Sequence, residues 1–352
     1  MSGLIFNEEK AKHYIRLADS SYQRHDNLYR YLHADIMAAP QHKNFPRGLE
    51  VRSLEYNRWL FFATLLNYRS VSEKVFPMAV TLWDKFPELF SSDICQMKDD
   101  LVIKPSKDED IRYTSPNQAG IRWGASARAL FTHFDGDPLN IFSEVKSVDD
   151  FISLKKKLER EGNVSFLGYG PKLFSLLAIF YEELGLIDHL EGSLPVDLHI
   201  QRIFITLGIV DVVESGGEQD AMAVAEFIRP RLTKLCYELG VKPLDLSHAL
   251  WFLGSNVCTK CTKITSELRE WACPFAEYCP GPIDSMPYSR RGRWNFEERR
   301  LFSQNEDPRD FKLVLGESSL LLPPEKTRRV IKTPNEVYSS TEEDPRVFEL
   351  FG

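Results

Sequence analysis

The sequence predicts an all-α protein on three observations. Apolar residues recur at helical spacing along most of the chain, strand-like alternation is scarce, and the composition is globular. Of 352 residues, 43% are hydrophobic and 27% charged, which excludes a disordered, collagen-like or coiled-coil chain. The length suits about two domains of roughly 150 residues each.

Each helix is justified by its own stripe. Tyr56–Asn67 aligns Trp59, Phe62, Ala63 and Leu66 at i, i+3, i+4 and i+7. Val75–Leu89 aligns Ala79, Leu82, Trp83 and Phe86, and Ser126–Phe134 aligns Ala127, Leu130 and Phe131. Ser147–Arg160 opens on Ser147 with Asp150 three residues on, the spacing of a capping box. Lys172–Leu184 carries Phe174, Leu177, Ala178 and Tyr181, and Leu198–Leu207 carries Ile200, Ile203, Phe204 and Leu207. Gln219–Leu239 and Leu246–Leu253 add two more. Asp99–Pro116, charged and Pro-containing, is expected to form a surface loop or small insertion. The stretch 281–352 holds seven prolines and mixed charge, and is expected to be an appendage with little core of its own.

Net charge is −7, so any site for a polyanion must be a local basic patch. Met1–Lys12 carries Glu8, Glu9, Lys10 and Lys12 where a secretory signal would be apolar. No run approaches the ~18 apolar residues of a membrane span. The expectation is a soluble, cytoplasmic protein with no membrane partner.

Three features carry chemistry. The first is Phe166-Leu167-Gly168-Tyr169-Gly170-Pro171-Lys172. A G-x-G turn lets the backbone reach φ > 0, and Pro171 suits the first position of the next helix. Such a start presents N–H groups to a phosphate, or is simply a tight turn between helices. The second is Pro195-Val196-Asp197-Leu198-His199, where Asp197 reads by itself as an N-cap and His199 as a capping or packing residue. The third is Cys258-x2-Cys261-x11-Cys273-Pro274-x4-Cys279. Four cysteines within 22 residues point to a metal, either tetrahedral zinc or a cubane iron–sulfur cluster. Cys95 and Cys236 stand alone in apolar contexts and are expected to be buried thiols.

In this order, the three features resemble the helix-hairpin-helix (HhH-GPD) DNA glycosylases of the endonuclease III type. Gly168-Tyr169-Gly170-Pro171-Lys172 matches the family's hairpin and lysine. Pro195 to His199 looks like the P-V-D-x-H of 8-oxoguanine DNA glycosylases, and Cys273-Pro274 to Cys279 like the end of the cluster loop. Asn57 to Asn67 is similar to the family's first barrel helix. The likeness covers roughly residues 50 to 280. Leu167 stands where the hairpin usually has proline, and Phe174 where a small residue is usual. The stretch from Lys172 to Asp197 is several residues longer than usual. Glu270 stands where the C-x6-C-x2-C-x5-C spacing would place a cysteine, so Cys261 would supply that ligand by another path.

The resemblance implies two helical lobes flanking a cleft. A six-helix barrel would span 55–186, and a second lobe would join 1–54 to 187–280 and carry the cluster. Lys172 and Asp197 would face one another across the cleft. Asp197 would stabilise positive charge on the deoxyribose as the base leaves, and Lys172 would attack C1′ as in bifunctional glycosylase/lyases, unless it only contacts phosphate. Gly168 and Gly170 would hold a DNA phosphate. Asn67, Tyr68 and Arg69 would supply the wedge left in the stack when the base is flipped. Lys260, Lys263 and Arg269 would make basic contacts beside a 4Fe-4S cluster, with zinc as the alternative. The partner implied is double-stranded DNA bearing a modified or damaged base, bound by a monomer. A hypermodified phage base, and hence a defence role, is one substrate hypothesis. Ser289 to Trp294 reads either as a further basic-aromatic DNA contact or as a solvated tail. The alternatives to an enzyme are a non-catalytic DNA-binding protein and a zinc-stapled interaction module.

Overall fold

A computed structural model describes residues 3–26, 29, 39–67, 72–97, 116–212, 218–258, 261, 264–279, 288–289 and 293–296. The described chain is mostly helical, with a few short strands. In order it runs β1 (Leu4–Phe6), α1 (Glu8–Gln23), α2 (Pro40–Lys43), α3 (Leu54–Leu66), α4 (Ser72–Lys85), α5 (Pro116–His133), α6 (Pro138–Glu144) and α7 (Val148–Arg160). Then follow α8 (Pro171–Glu183), α9 (Leu198–Thr206), β2 (Val210–Val212), β3 (Glu218–Asp220), α10 (Ala221–Leu239), α11 (Pro243–Asn256), α12 (Ser266–Ala272), β4 (Tyr288–Ser289) and β5 (Arg293–Asn295). Two 3₁₀ turns, Pro87–Phe90 and Ser92–Gln96, follow α4. The chain divides into a discontinuous unit, Met1–Asp35 with Val196–Gly352, and a continuous one, Ile36–Pro195.

The continuous unit is built on α3. Its sequence LEYNRWLFFATLL is apolar on all sides, and every residue from Trp59 to Leu66 is buried, as expected of a helix with neighbours all round. Ser53 Oγ caps it by accepting from Tyr56 N at 3.1 Å. Phe62 stacks on Trp123 of α5 with ring centroids 4.8 Å apart. From the other side Tyr169 and Tyr181 donate their hydroxyls to Phe61 O (2.6 Å) and Asn57 O (2.8 Å). The hydroxyls of two buried tyrosines are thereby satisfied on one helix. In α2, His42 Nε2 lies 2.6 Å from Glu183 Oε2 and its Nδ1 lies 3.1 Å from the Tyr56 hydroxyl. Gln41 donates to the same carboxylate at 3.1 Å, so α2 is tied to the end of α8. The Ser147 cap forms at 3.0 Å to Asp150 N. Asp150 returns a bond to Lys146 N at 3.1 Å, one residue before the position the capping-box pattern gives.

The discontinuous unit joins its two segments through a ribbon. Leu4, Ile5 and Phe6 pair antiparallel with Val212, Asp211 and Val210. Asn7 then caps α1, its side chain accepting from Lys10 N at 3.0 Å. Ala11, Tyr14, Ile15, Ala18 and Tyr22 form the buried face of α1, which packs on α10 and α11. Asp220 caps α10, and Gly240 ends it in the left-handed conformation, φ +67°. Strand β5 lies between β3 and β4. Within the 281–352 stretch, the described Trp294 and Phe296 are wholly buried, with Trp294 Nε1 donating to Gln201 Oε1 of α9 at 2.7 Å. Cys236 is buried as expected, and burial pushes its thiol up to about 12. Cys95 is only partly buried, in the second 3₁₀ turn. The loop expected over 99–116 lies almost wholly outside the described residues. Among the described residues no helix is long and apolar enough to cross a membrane.

Candidate functional site

The glycine turn belongs to the continuous unit. Helix α7 ends near Gly162, and the chain reaches α8 through Leu167-Gly168-Tyr169-Gly170. The two glycines do different work. Gly168 sits at φ +99°, and a Cβ there would lie 2.9 Å from both Arg122 Cδ and Leu65 Cδ1. Gly170 is extended, caps α8 without any side-chain bond, and would place a Cβ in open space. Pro171 has no N–H to satisfy, and Lys172 is exposed on the first turn. The turn is anchored from behind: buried Tyr169 bonds Phe61 O, and Ser126 Oγ donates to Leu167 O at 3.0 Å. The outcome is a helix start with uncapped N–H groups, glycine in front and a lysine beside it, which is suited to a phosphate oxygen.

Lys155 is a residue that sequence reasoning missed. Its amine donates to Tyr169 O at 3.3 Å, between the two glycines. Burial lowers its pKa, with Glu159 opposing that effect. It lies in a run of three lysines on α7, and nothing in that run marks one as turned inward. Asn67, expected near the wedge, is buried at the C-cap of α3, where its N–H donates to Thr64 O at 3.0 Å. Tyr68 and Arg69 lie outside the described residues.

Asp197 belongs to the discontinuous unit, as N-cap of α9. One oxygen, Oδ1, accepts from both His199 N (2.9 Å) and Ile200 N (3.0 Å). The other oxygen has no bond among the described residues, and the residue is half-buried. A capping Asp is held rigidly by its own helix, so the remaining oxygen has a defined direction. His199 takes the packing role: it lies so close to Gly254 of α11 that a Cβ there would come within about 2.5 Å of His199 Cβ.

The four cysteines of the same unit are all buried. Cys258 follows α11, and Cys273 ends α12, donating its N–H to Arg269 O at 2.9 Å. Cys279 donates to Phe275 O at 2.8 Å, in the turn after Cys273. Burial, with Cys273, Cys261 and Cys279 beside it, pushes the Cys258 thiol far up. Cys273 is raised by burial and by Cys279 and Cys261. Among the described residues no three His, Cys, Asp or Glu side chains already form a metal cage. Four cysteines are by their chemistry a zinc or iron–sulfur donor set, but among the described residues they are not brought together as one. Grouped thiols suppress one another's ionisation, and a bound cation removes that penalty. Two arginines stand by them: Arg202 favours the thiolate at Cys258, and Arg269 at Cys273. Each buries its Nε without an acceptor. Arg269 is half-buried, and Lys260 and Lys263 lie outside the described residues. Compared with protein-family models and with curated proteins, the chain matches none.

Proposed function

We propose that this chain is a DNA glycosylase that flips a modified or damaged base out of double-stranded DNA and excises it, with an associated AP lyase step. The observation that carries this reading is the conjunction, in one chain and in family order, of an uncapped glycine turn bearing Lys172, an Asp197 cap whose second oxygen has no bond among the described residues, and four buried cysteines within 22 residues.

The chemistry follows from these groups. As the N-glycosidic bond breaks, positive charge develops on the sugar, and the second oxygen of Asp197 stabilises it. Held by two backbone N–H groups, that carboxylate needs no reorganisation during the step. The N–H groups behind Gly170 bind a phosphate and fix the register of the strand. For the lyase step the Lys172 amine must be neutral. An exposed lysine is protonated, so bound DNA has to exclude water from it. The amine then bonds to C1′ in place of the departed base, the sugar ring opens at C1′–O4′ to give a Schiff base, and loss of a C2′ proton expels the 3′ phosphate and cuts the strand. Bound at the four cysteines, an iron–sulfur cluster or zinc would supply a structural cross-link. The exposure of Lys172 favours a second reading of that residue alone, a phosphate contact in an enzyme with no lyase step.

A panel of duplexes, each with a single modified base and including bulky phage-type pyrimidines, tests the proposal through the appearance of abasic sites. Borohydride separates the two readings of Lys172. A covalent DNA adduct that disappears in Lys172→Ala supports the lyase. An adduct retained in that variant assigns the amine elsewhere, and Lys155 is then the first candidate.

A further inference from the structure

Between Ser165 and Gly170 every backbone carbonyl of the glycine turn has a donor. Ser165 O accepts from Leu167 N (2.7 Å), Phe166 O from Tyr169 N (3.1 Å), Gly168 O from Gly170 N (3.1 Å) and Gly170 O from Phe174 N (3.0 Å). The remaining acceptors, Leu167 O and Tyr169 O, are filled by side chains of other helices: Ser126 Oγ of α5 at 3.0 Å and Lys155 Nζ of α7 at 3.3 Å. We propose that Lys155 is a positioning residue for DNA: its ammonium occupies the Tyr169 carbonyl and so leaves the turn with donors alone to offer a phosphate. The inference rests on the phosphate role given to the turn above and is independent of which base is excised.

The donors left over are those of the helix start. Pro171 has no N–H, the first bond of α8 runs from Phe174 N back to Gly170 O, and no side chain caps the N–H groups of Lys172 and Leu173. Tyr169 O and Gly170 N belong to one planar peptide, so a donor on the oxygen fixes the plane that leads into that start. Without Lys155 an unpaired carbonyl oxygen would stand directly before the N-cap Gly170, and its partial negative charge would oppose an approaching anion. Ser126 removes the same difficulty at Leu167 O with a neutral hydroxyl. Lys155 adds a full positive charge and has no acceptor of its own, so the exchange favours an anion twice over.

Packing delivers Lys155 to this place. Phe151, one turn earlier on α7, stacks on Phe174 of α8 with ring centroids 3.6 Å apart, and it meets Tyr169 edge-on at 6.5 Å. One turn later on the same face, Glu159 accepts from Ser165 Oγ at 2.7 Å, which ties α7 to the chain entering the glycine turn. Lys155 therefore sits between two anchored turns of its own helix, and its half-buried stem is aimed by both. Burial disfavours its charge and the Glu159 carboxylate favours it. Its neighbours Lys156 and Lys157 are exposed, so this lysine run turns one amine inward and leaves two to solvent.

The test uses the full chain and an unmodified DNA duplex. Binding is measured across a salt series for wild type, Lys155→Met, Lys155→Gln, Lys155→Arg and Lys156→Met, with thermal unfolding of each. Lys155→Gln removes the charge but keeps a polar end, should Lys155→Met fail to fold. The carbonyl carbon of Tyr169 and the amide nitrogen of Gly170 are followed by NMR in the free proteins. Lys155→Met and Lys155→Gln are expected to shift both resonances and to weaken duplex binding roughly 10-fold, the size of one lost charge-assisted bond, with the salt slope kept. Lys155→Arg should recover most of that affinity, and Lys156→Met should leave both resonances in place. A salt slope lowered by about 0.9 in Lys155→Met or Lys155→Gln would mean that Lys155 neutralises a phosphate itself, and overturns the positioning role. Resonances or affinity unchanged in those two variants overturn the proposal alone. A wild type that binds no duplex overturns it together with the phosphate reading of the turn.

Discussion

Gly168 and Gly170 show why a two-glycine motif must be read one residue at a time. Gly168 is obligatory, since its φ of +99° and the 2.9 Å approach of Arg122 and Leu65 leave no place for a side chain. Gly170 is extended and has room for a Cβ, so packing among the described residues does not require glycine there. Gly168→Ala is expected to cost about 1–3 kcal/mol by chemical denaturation, the usual range for a strained backbone position, whereas Gly170→Ala should cost less. If Gly170 is a phosphate contact, its substitution should weaken duplex binding more than it lowers stability. At this scale the local geometry was partly legible in the sequence: the capping role of Asp197 followed from its place before an apolar helix. The inward turn of Lys155 was hidden among like neighbours, and the burial of Asn67 depends on packing around α3 that no local pattern records.

Among the elements, legibility followed how local the determining contacts are. The α7 start was visible because Ser147 and Asp150 are three residues apart, and α3 because Trp59, Phe62, Ala63 and Leu66 recur at helical spacing. Helix α6 escaped notice because its seven residues are too few to establish a period, although Asp137 caps it and Pro138 opens it. Strand β5 escaped because its partner β3 lies some seventy residues earlier in the chain, with Gln219 opposite Trp294. Trp294 was accordingly grouped with a basic run, when the ring is wholly buried and bonded to Gln201. Trp294→Ala is expected to destabilise the protein by about 3–5 kcal/mol, as large-to-small core substitutions of aromatic residues do. A change within measurement error would mean that this strand is not part of the folded unit.

For the whole molecule, all-α composition and helical period foretold a mostly helical chain, and the net charge of −7 bears on how it would meet DNA. With the total charge repulsive, duplex affinity has to come from local contacts, so log affinity should fall with log salt by about 0.9 per phosphate neutralised. A salt-independent affinity would argue against phosphate contacts at the glycine turn. The most direct test is single-turnover base release from the duplex identified in the modified-base panel, with wild type and Asp197→Asn measured under identical conditions. Abasic sites formed by wild type, with the rate lowered by roughly 100-fold or more in Asp197→Asn while duplex binding is kept, are the predicted result. No base released from any modified duplex, or release by Asp197→Asn as fast as by wild type, would contradict it.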